Sequence, residues 1–227
     1  MKFKVTTNPE AVKESGGGAS FIGSSGIYDT TITFASLDVS TNGAESVNFN
    51  LDYNGNSQTI YGPYVTNTNG DTNEIGAALI NKLAIIAGMT DGDDFEIENE
   101  THAVGKDNKE QEFAVITNFS DLAIKIRLQE EYYIPEKGAK KGEIQKRMVI
   151  KSFFREDGAS AEEIVNETEI GKRLALETEK YAKNITYKNG LTEEDITTWY
   201  EAKKSGGSKT PTPKKAAAKK EGGTLFK

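Results

Sequence analysis

Cysteine is absent from the 227 residues, histidine and tryptophan occur once each, and no run of apolar residues is long. Without cysteine the chain can build no thiolate metal site, no cysteine nucleophile and no disulfide framework, and it fits a reducing compartment. A single histidine, His102, rules out multi-histidine metal sites and makes it the one residue through which Ser-His-Asp chemistry could run. No Gly-x-Ser-x-Gly turn offers a nucleophile for it, and its polar surroundings, NETHAVG, predict an exposed loop histidine. A membrane span needs ~18 to 20 apolar residues, which no segment supplies, and the start MKFKVTTNPE lacks the apolar stretch of a signal peptide. The expectation is a soluble, cytoplasmic, non-enzymatic protein without a cofactor. A folded unit of ~150 residues buries roughly 70% of its unfolded surface, so a core here needs no disulfide.

The formal charge is -7, but the charges are segregated. Residues 1–120 hold 6 basic and 17 acidic side chains, and residues 121–155 hold 9 and 5. Residues 156–202 hold 5 and 12, and residues 203–227 hold 8 and 1. Two acidic regions thus alternate with two basic ones, where an anionic partner could dock.

Residues 1–26 end in ESGGGASFIGSSG and predict a flexible arm. A first strand is expected at Ile27–Phe34. In ESVNFNLDY, Val47, Phe49, Leu51 and Tyr53 alternate with polar residues, the pattern of a half-buried strand, and Asn54-Gly55 then predicts a tight hairpin turn. Asp71 and Glu74 have capping-box spacing, with Ile75, Leu79, Leu83 and Ile86 as the apolar stripe of a helix that stops at Gly88. Three further strands are expected in QEFAVITNF, DLAIKIRLQEEYYI and EIQKRMVIKSFF. From Ser160 the period turns helical: Ser160 with Glu163, and Thr192 with Asp195, mark helix starts. Ile164, Thr168, Leu174, Leu176 and Tyr181 would form the stripe of the first helix. KKSGGSKTPTPKKAAAKKEGGTLFK has almost nothing to bury and predicts disorder. The expected architecture is mainly β with α. An OB-fold-like antiparallel β-barrel occupies 27–155, between the N-terminal arm 1–26 and a helical extension 156–204, and a disordered basic tail 205–227 follows.

The acidic stretch Asp91, Asp93, Asp94, Glu96, Glu98 and Glu100 lacks the glycine and distal glutamate of a calcium loop, so no metal site is assigned. The stronger signal combines cations with rings on predicted strands, because single strands of nucleic acid are held by cations along the phosphates and by aromatic stacking. The candidate nucleic-acid-binding residues are Lys125, Arg127, Lys146, Arg147, Lys151 and Arg155 on two adjacent strands, and Lys137, Lys140 and Lys141 in the loop between them. Tyr53, Tyr61 and Phe153 supply the rings, with Tyr64, Tyr132, Tyr133 and Phe154 near them. Strict alternation along MVIKSFFR puts Met148, Ile150, Ser152 and Phe154 on the core face. Phe153 then stands outside between Lys151 and Arg155, poised to stack.

GIYDTTITFAS, GAESVNFNLDYNGNSQTIYGPYV and EIGAALINKLAIIAGM carry Gly26 and Tyr28, the Asn54-Gly55 hairpin, and a helix ending Ala87-Gly88-Met89. Over roughly residues 20–155 this layout resembles the OB-fold single-stranded DNA-binding proteins of bacteriophages. The resemblance implies non-catalytic coating of single-stranded DNA in replication or recombination, with proteins of those processes as partners. The chain departs from such proteins at its end: Leu225 and Phe226 keep an apolar tip, but the residues before them are basic rather than acidic. A polycation adding phosphate contacts fits that tail better than partner docking. The rival reading is a structural or assembly protein of a virion, with no nucleic-acid role.

Overall fold

The computed structural model describes residues 21–105 and 107–204. The strand β1 (Gly26–Val39) is long enough to serve two partners on one edge and one on the other. Its residues Thr31–Val39 pair with β2 (Glu45–Tyr53), and β3 (Asn56–Ile60) follows β2 through Asn54 and Gly55, both at positive φ as a tight hairpin requires. Its residues Gly26–Ile32 pair with β6 (Leu122–Tyr133), which in turn carries β7 (Gln145–Arg155). A hairpin of β4 (Ile97–Val104) and β5 (Lys109–Ile116) pairs with β1 through Ser36 and Leu37. The path β3-β2-β1-β6-β7 is an open, antiparallel, barrel-like sheet. Its terminal strands β3 and β7 are joined by no ladder.

Alternation fills the inside of this curve. Val47, Phe49 and Leu51 from β2 meet Ile124, Ile126 and Leu128 from β6, and Ile150 and Phe153 from β7. The helix α1 (Glu74–Ile86) packs on the same core through Ile80, Leu83, Ala84 and Ile86. Its N-cap is Asn73, whose Oδ1 accepts from the Gly76 N–H, rather than the expected Asp71. Ile75, expected in the apolar stripe, lies in the first turn at 86% exposed, and Ile80 takes a core position. Gly88 and Met89 close the last turn by donating to the Ile85 and Ala84 carbonyls, as expected of a stop at Gly88.

Other expectations are corrected as well. His102 lies in β4, not in a loop, and its ring stacks on Phe34 at 3.9 Å. The arm does not run to residue 26: Ile22 is 3% exposed in the core, and its N–H and carbonyl bind the Gln58 side chain at 2.8 and 3.0 Å. An apolar side chain within reach of the barrel foot outweighs the freedom of its Gly-Ser neighbours. Residues 1–20 and the expected disordered tail at 205–227 lie outside the described residues.

The extension after residue 156 joins the sheet instead of standing apart. Its first helix is split in two, α2 (Ala161–Val165) and α3 (Lys172–Lys180), around the left-handed residues Glu167 and Gly171. A short strand, β8 (Ile185–Tyr187), pairs parallel with Glu130–Tyr132 of β6, where β1 no longer reaches. Then α4 (Glu193–Lys204) starts at the predicted Thr192–Asp195 box. Its Ile196 and Trp199 form a second small core with Tyr132, Ile144 and Leu191. Among the described residues no helix is long and apolar enough to cross a membrane.

Candidate nucleic-acid interface

A groove of 580 Å³ runs along the seam between β3 and β7. One wall is Gln58–Ile60 with the following segment Tyr61–Tyr64, and the other is Lys146–Ile150 with Tyr133. Two glycines press the first wall into place. A Cβ on Gly62 would lie 1.7 Å from the Val47 carbonyl oxygen, and one on Gly76 would lie 1.8 Å from that of Tyr64. The backbone therefore hugs β2 and α1, and its large side chains turn outward. Tyr61 is 77% and Tyr64 52% exposed, two rings held on a fixed backbone with faces open to solvent. Across the groove, the Arg147 guanidinium lies 4.9 Å from the centre of the Tyr133 ring. At the foot of the seam, Gln58 of β3 holds Ile22, while Lys146 of β7 donates to the Gly23 carbonyl. The segment 22–23 thus straps the two unpaired strands together below the groove.

Of the candidate residues, Tyr61, Lys146 and Arg147 meet in this groove. Tyr53 does not: its ring packs edge-on to Tyr28 at 5.4 Å. Phe153 is not an outer ring either. It is 3% exposed and lies 5.4 Å from Phe49 inside the barrel. The reason is a β-bulge: Arg127 pairs with Ser152 but Leu128 pairs with Ile150, so Lys151 is an extra residue and the alternation reverses beyond it. Ser152 takes the outer position that strict alternation assigned to Phe153 and hydrogen-bonds to Arg127 at 3.2 Å.

Most of the candidate cations are ion-paired. Lys146 pairs with Glu130 at 2.7 Å, and the Arg147 Nε with Glu131 at 2.7 Å. Lys125 pairs with Asp29, Arg155 with Asp157 at 2.7 Å, and Lys140 with Glu143 at 3.4 Å. Arg127 meets the buried Glu177 of α3 at 2.6 Å, so helix and sheet are clamped through a charge pair. Lys137 and Lys141 are exposed in the β6–β7 loop, and with Lys151 they form no ion pair among the described residues. Burial pushes the Lys151 ammonium below its ordinary pKa, Glu131 opposes that shift, and Arg127, Lys188 and Arg147 add to it. Burial also pushes the Glu131 carboxyl up. Hydrogen bonds from Lys188 and Arg147 outweigh it and leave the group below the usual carboxylate range.

No protein-family model and no curated protein matches the chain.

Tyr64 and Tyr133 belong to the groove as much as Tyr61 does, and both are aromatic residues next to candidate segments. The carboxylates beneath the cations were the less visible part. Their signal is register: Glu130 and Glu131 stand as far before the β6–β7 loop as Arg147 and Met148 stand after it, which places two acids against the Lys146-Arg147 pair.

Proposed function

We propose that the protein binds single-stranded DNA without catalysis, in the groove between β3 and β7. The observation that carries this reading is the meeting of three accessible tyrosines, Tyr61, Tyr64 and Tyr133, with Lys146 and Arg147 along one open seam. Bases stack on rings at ~1 to 3 kcal/mol each with little sequence preference, and cations beside the rings meet the phosphates. In OB barrels the face of the second and third strands, with the loop joining the last two strands, receives oligonucleotides, and β2 and β3 both contribute to this groove. Here that loop carries Lys137, Lys140 and Lys141. Because Lys146 and Arg147 already have carboxylate partners, stacking contributes more than charge within the groove itself. Coating of single strands in replication or recombination, in a phage-like setting, is the role this binding would serve.

The ion pairing also keeps the rival alive, since an assembly protein needs its surface cations for nothing beyond solubility and pairing. A titration separates the two. A fluorescent single strand of about 30 nucleotides binds the full chain, more weakly as salt rises, if Lys and Arg side chains displace counterions from its phosphates. No binding at low salt rejects the proposal.

A further inference from the structure

The outer face of the β6–β7 pair holds more cations than its carboxylates can neutralise. Glu131 is 3% exposed, and both of its oxygens are taken: Arg147 Nε at 2.7 Å on one and Lys188 Nζ at 2.9 Å on the other. Glu177 is likewise filled, by Arg127 Nε at 2.6 Å and Arg173 Nε at 2.8 Å, with Ser152 also donating to it. Lys151 arrives on this face as the extra residue of the bulge and finds neither carboxylate free. Of the charged groups that act on it, three are cations, Arg127, Arg147 and Lys188, and one is Glu131. A half-buried ammonium among like charges is a position that an external anion relieves.

We propose that Lys151, Lys188 and Arg147 form a phosphate-binding site on this outer face, which takes a backbone phosphate of a nucleic-acid strand leaving the groove over β7. The link is Arg147, which lines the groove, lies over Tyr133 and pairs with Glu131 on the outer face. The site deepens the groove reading but is separable from it: a short oligonucleotide fills the groove alone, and only a longer one crosses β7. Phosphate is the favoured anion because Arg147 and Lys188 close on the same Glu131 carboxylate and Lys151 stands on the same face of β7 as Arg147, an arrangement that suits a tetrahedral oxyanion with more than one free oxygen.

The test compares the full chain with Lys151→Gln and with the double variant Lys151→Gln/Lys188→Gln. The single variant removes a cation that neutralises no carboxylate, so its fold is safe. Each is titrated with strands of about 8 and about 30 nucleotides over a range of salt. The double variant is expected to lose on the order of tenfold in affinity for the longer strand at ~0.1 M salt. Its salt slope should fall by about 0.7, one single-strand phosphate contact, with the short strand unaffected. Equal losses for both lengths, or no loss, overturn the site. Inorganic pyrophosphate gives a second readout that does not depend on the groove. Saturable amide shifts at Lys151 and Lys188 in the wild type, absent in the double variant, uphold the site even if neither strand binds. Their absence from the wild type overturns it.

Discussion

Phe153 decides how the last strand of the barrel is read. Its ring is enclosed against Phe49, in a core built from both ends of the sheet, so truncation opens a cavity in the centre of the barrel. Phe153→Ala should therefore lower the unfolding free energy by ~3 to 5 kcal/mol, measured in urea, while the folded fraction binds single strands as before. Weaker binding with unchanged stability would mean that the ring stacks on bases. The residue types of β7 were legible in the sequence and its facing was not, because one bulged residue reverses every side chain beyond it. Nothing in MVIKSFFR marks Lys151 as that residue; the bulge is fixed by the pairing of β6 with β7 and by the demand to bury two adjacent phenylalanines. Ile22 shows the converse. A short apolar pair, Phe21-Ile22, in a glycine-rich stretch carries no periodicity, yet Ile22 finishes the foot of the barrel.

At the scale of elements, local rules read the boundaries well where a side chain caps a backbone. The Ser160–Glu163 box is formed, and the Glu163 carboxylate also accepts the N–H groups of Gly171 and Arg173, so it ties the start of α3 to the start of α2. The same periodicity argument predicted one helix where there are two. A polar stretch through Glu167 and Gly171 can continue a charged helix or break it, and the break is set by that second use of Glu163. What α3 rests on could not be read from its own stripe, since its buried residue is a glutamate, Glu177. Replacing it by Gln leaves Arg127 enclosed against the sheet without a counter-charge. Glu177→Gln should cost ~3 to 5 kcal/mol and speed amide exchange across Lys172–Lys180 ahead of the barrel strands. Unchanged exchange there would show that apolar contacts, and not the Arg127–Glu177 pair, hold the helix down.

At the scale of the whole molecule, segregated charge was visible in the sequence, and its neutralisation required the fold. The basic block 121–155 is matched by carboxylates drawn from β1, from β6 itself and from the acidic extension, which leaves Lys137, Lys141 and Lys151 as its unpaired members among the described residues. Long-range attraction for a polyanion therefore falls more heavily on the other basic block. The last described helix, α4, ends at Lys204 and packs through Trp199 and Tyr200 on Tyr132. The neighbouring Tyr133 and Lys146 line the groove, and α4 leads in sequence to residues 205–227, with six lysines and one glutamate, which lie outside the described residues. Tethering a polycation there raises its local concentration around a bound strand without a folded interface. Deleting residues 205–227 leaves every described side chain of both cores in place, and the melting temperature should not move. The salt slope of single-strand binding should fall by up to about 4 if each lysine meets a phosphate. An unaltered slope would confine DNA contact to the folded body, and a truncated chain that unfolds would place the tail within the structure's stability.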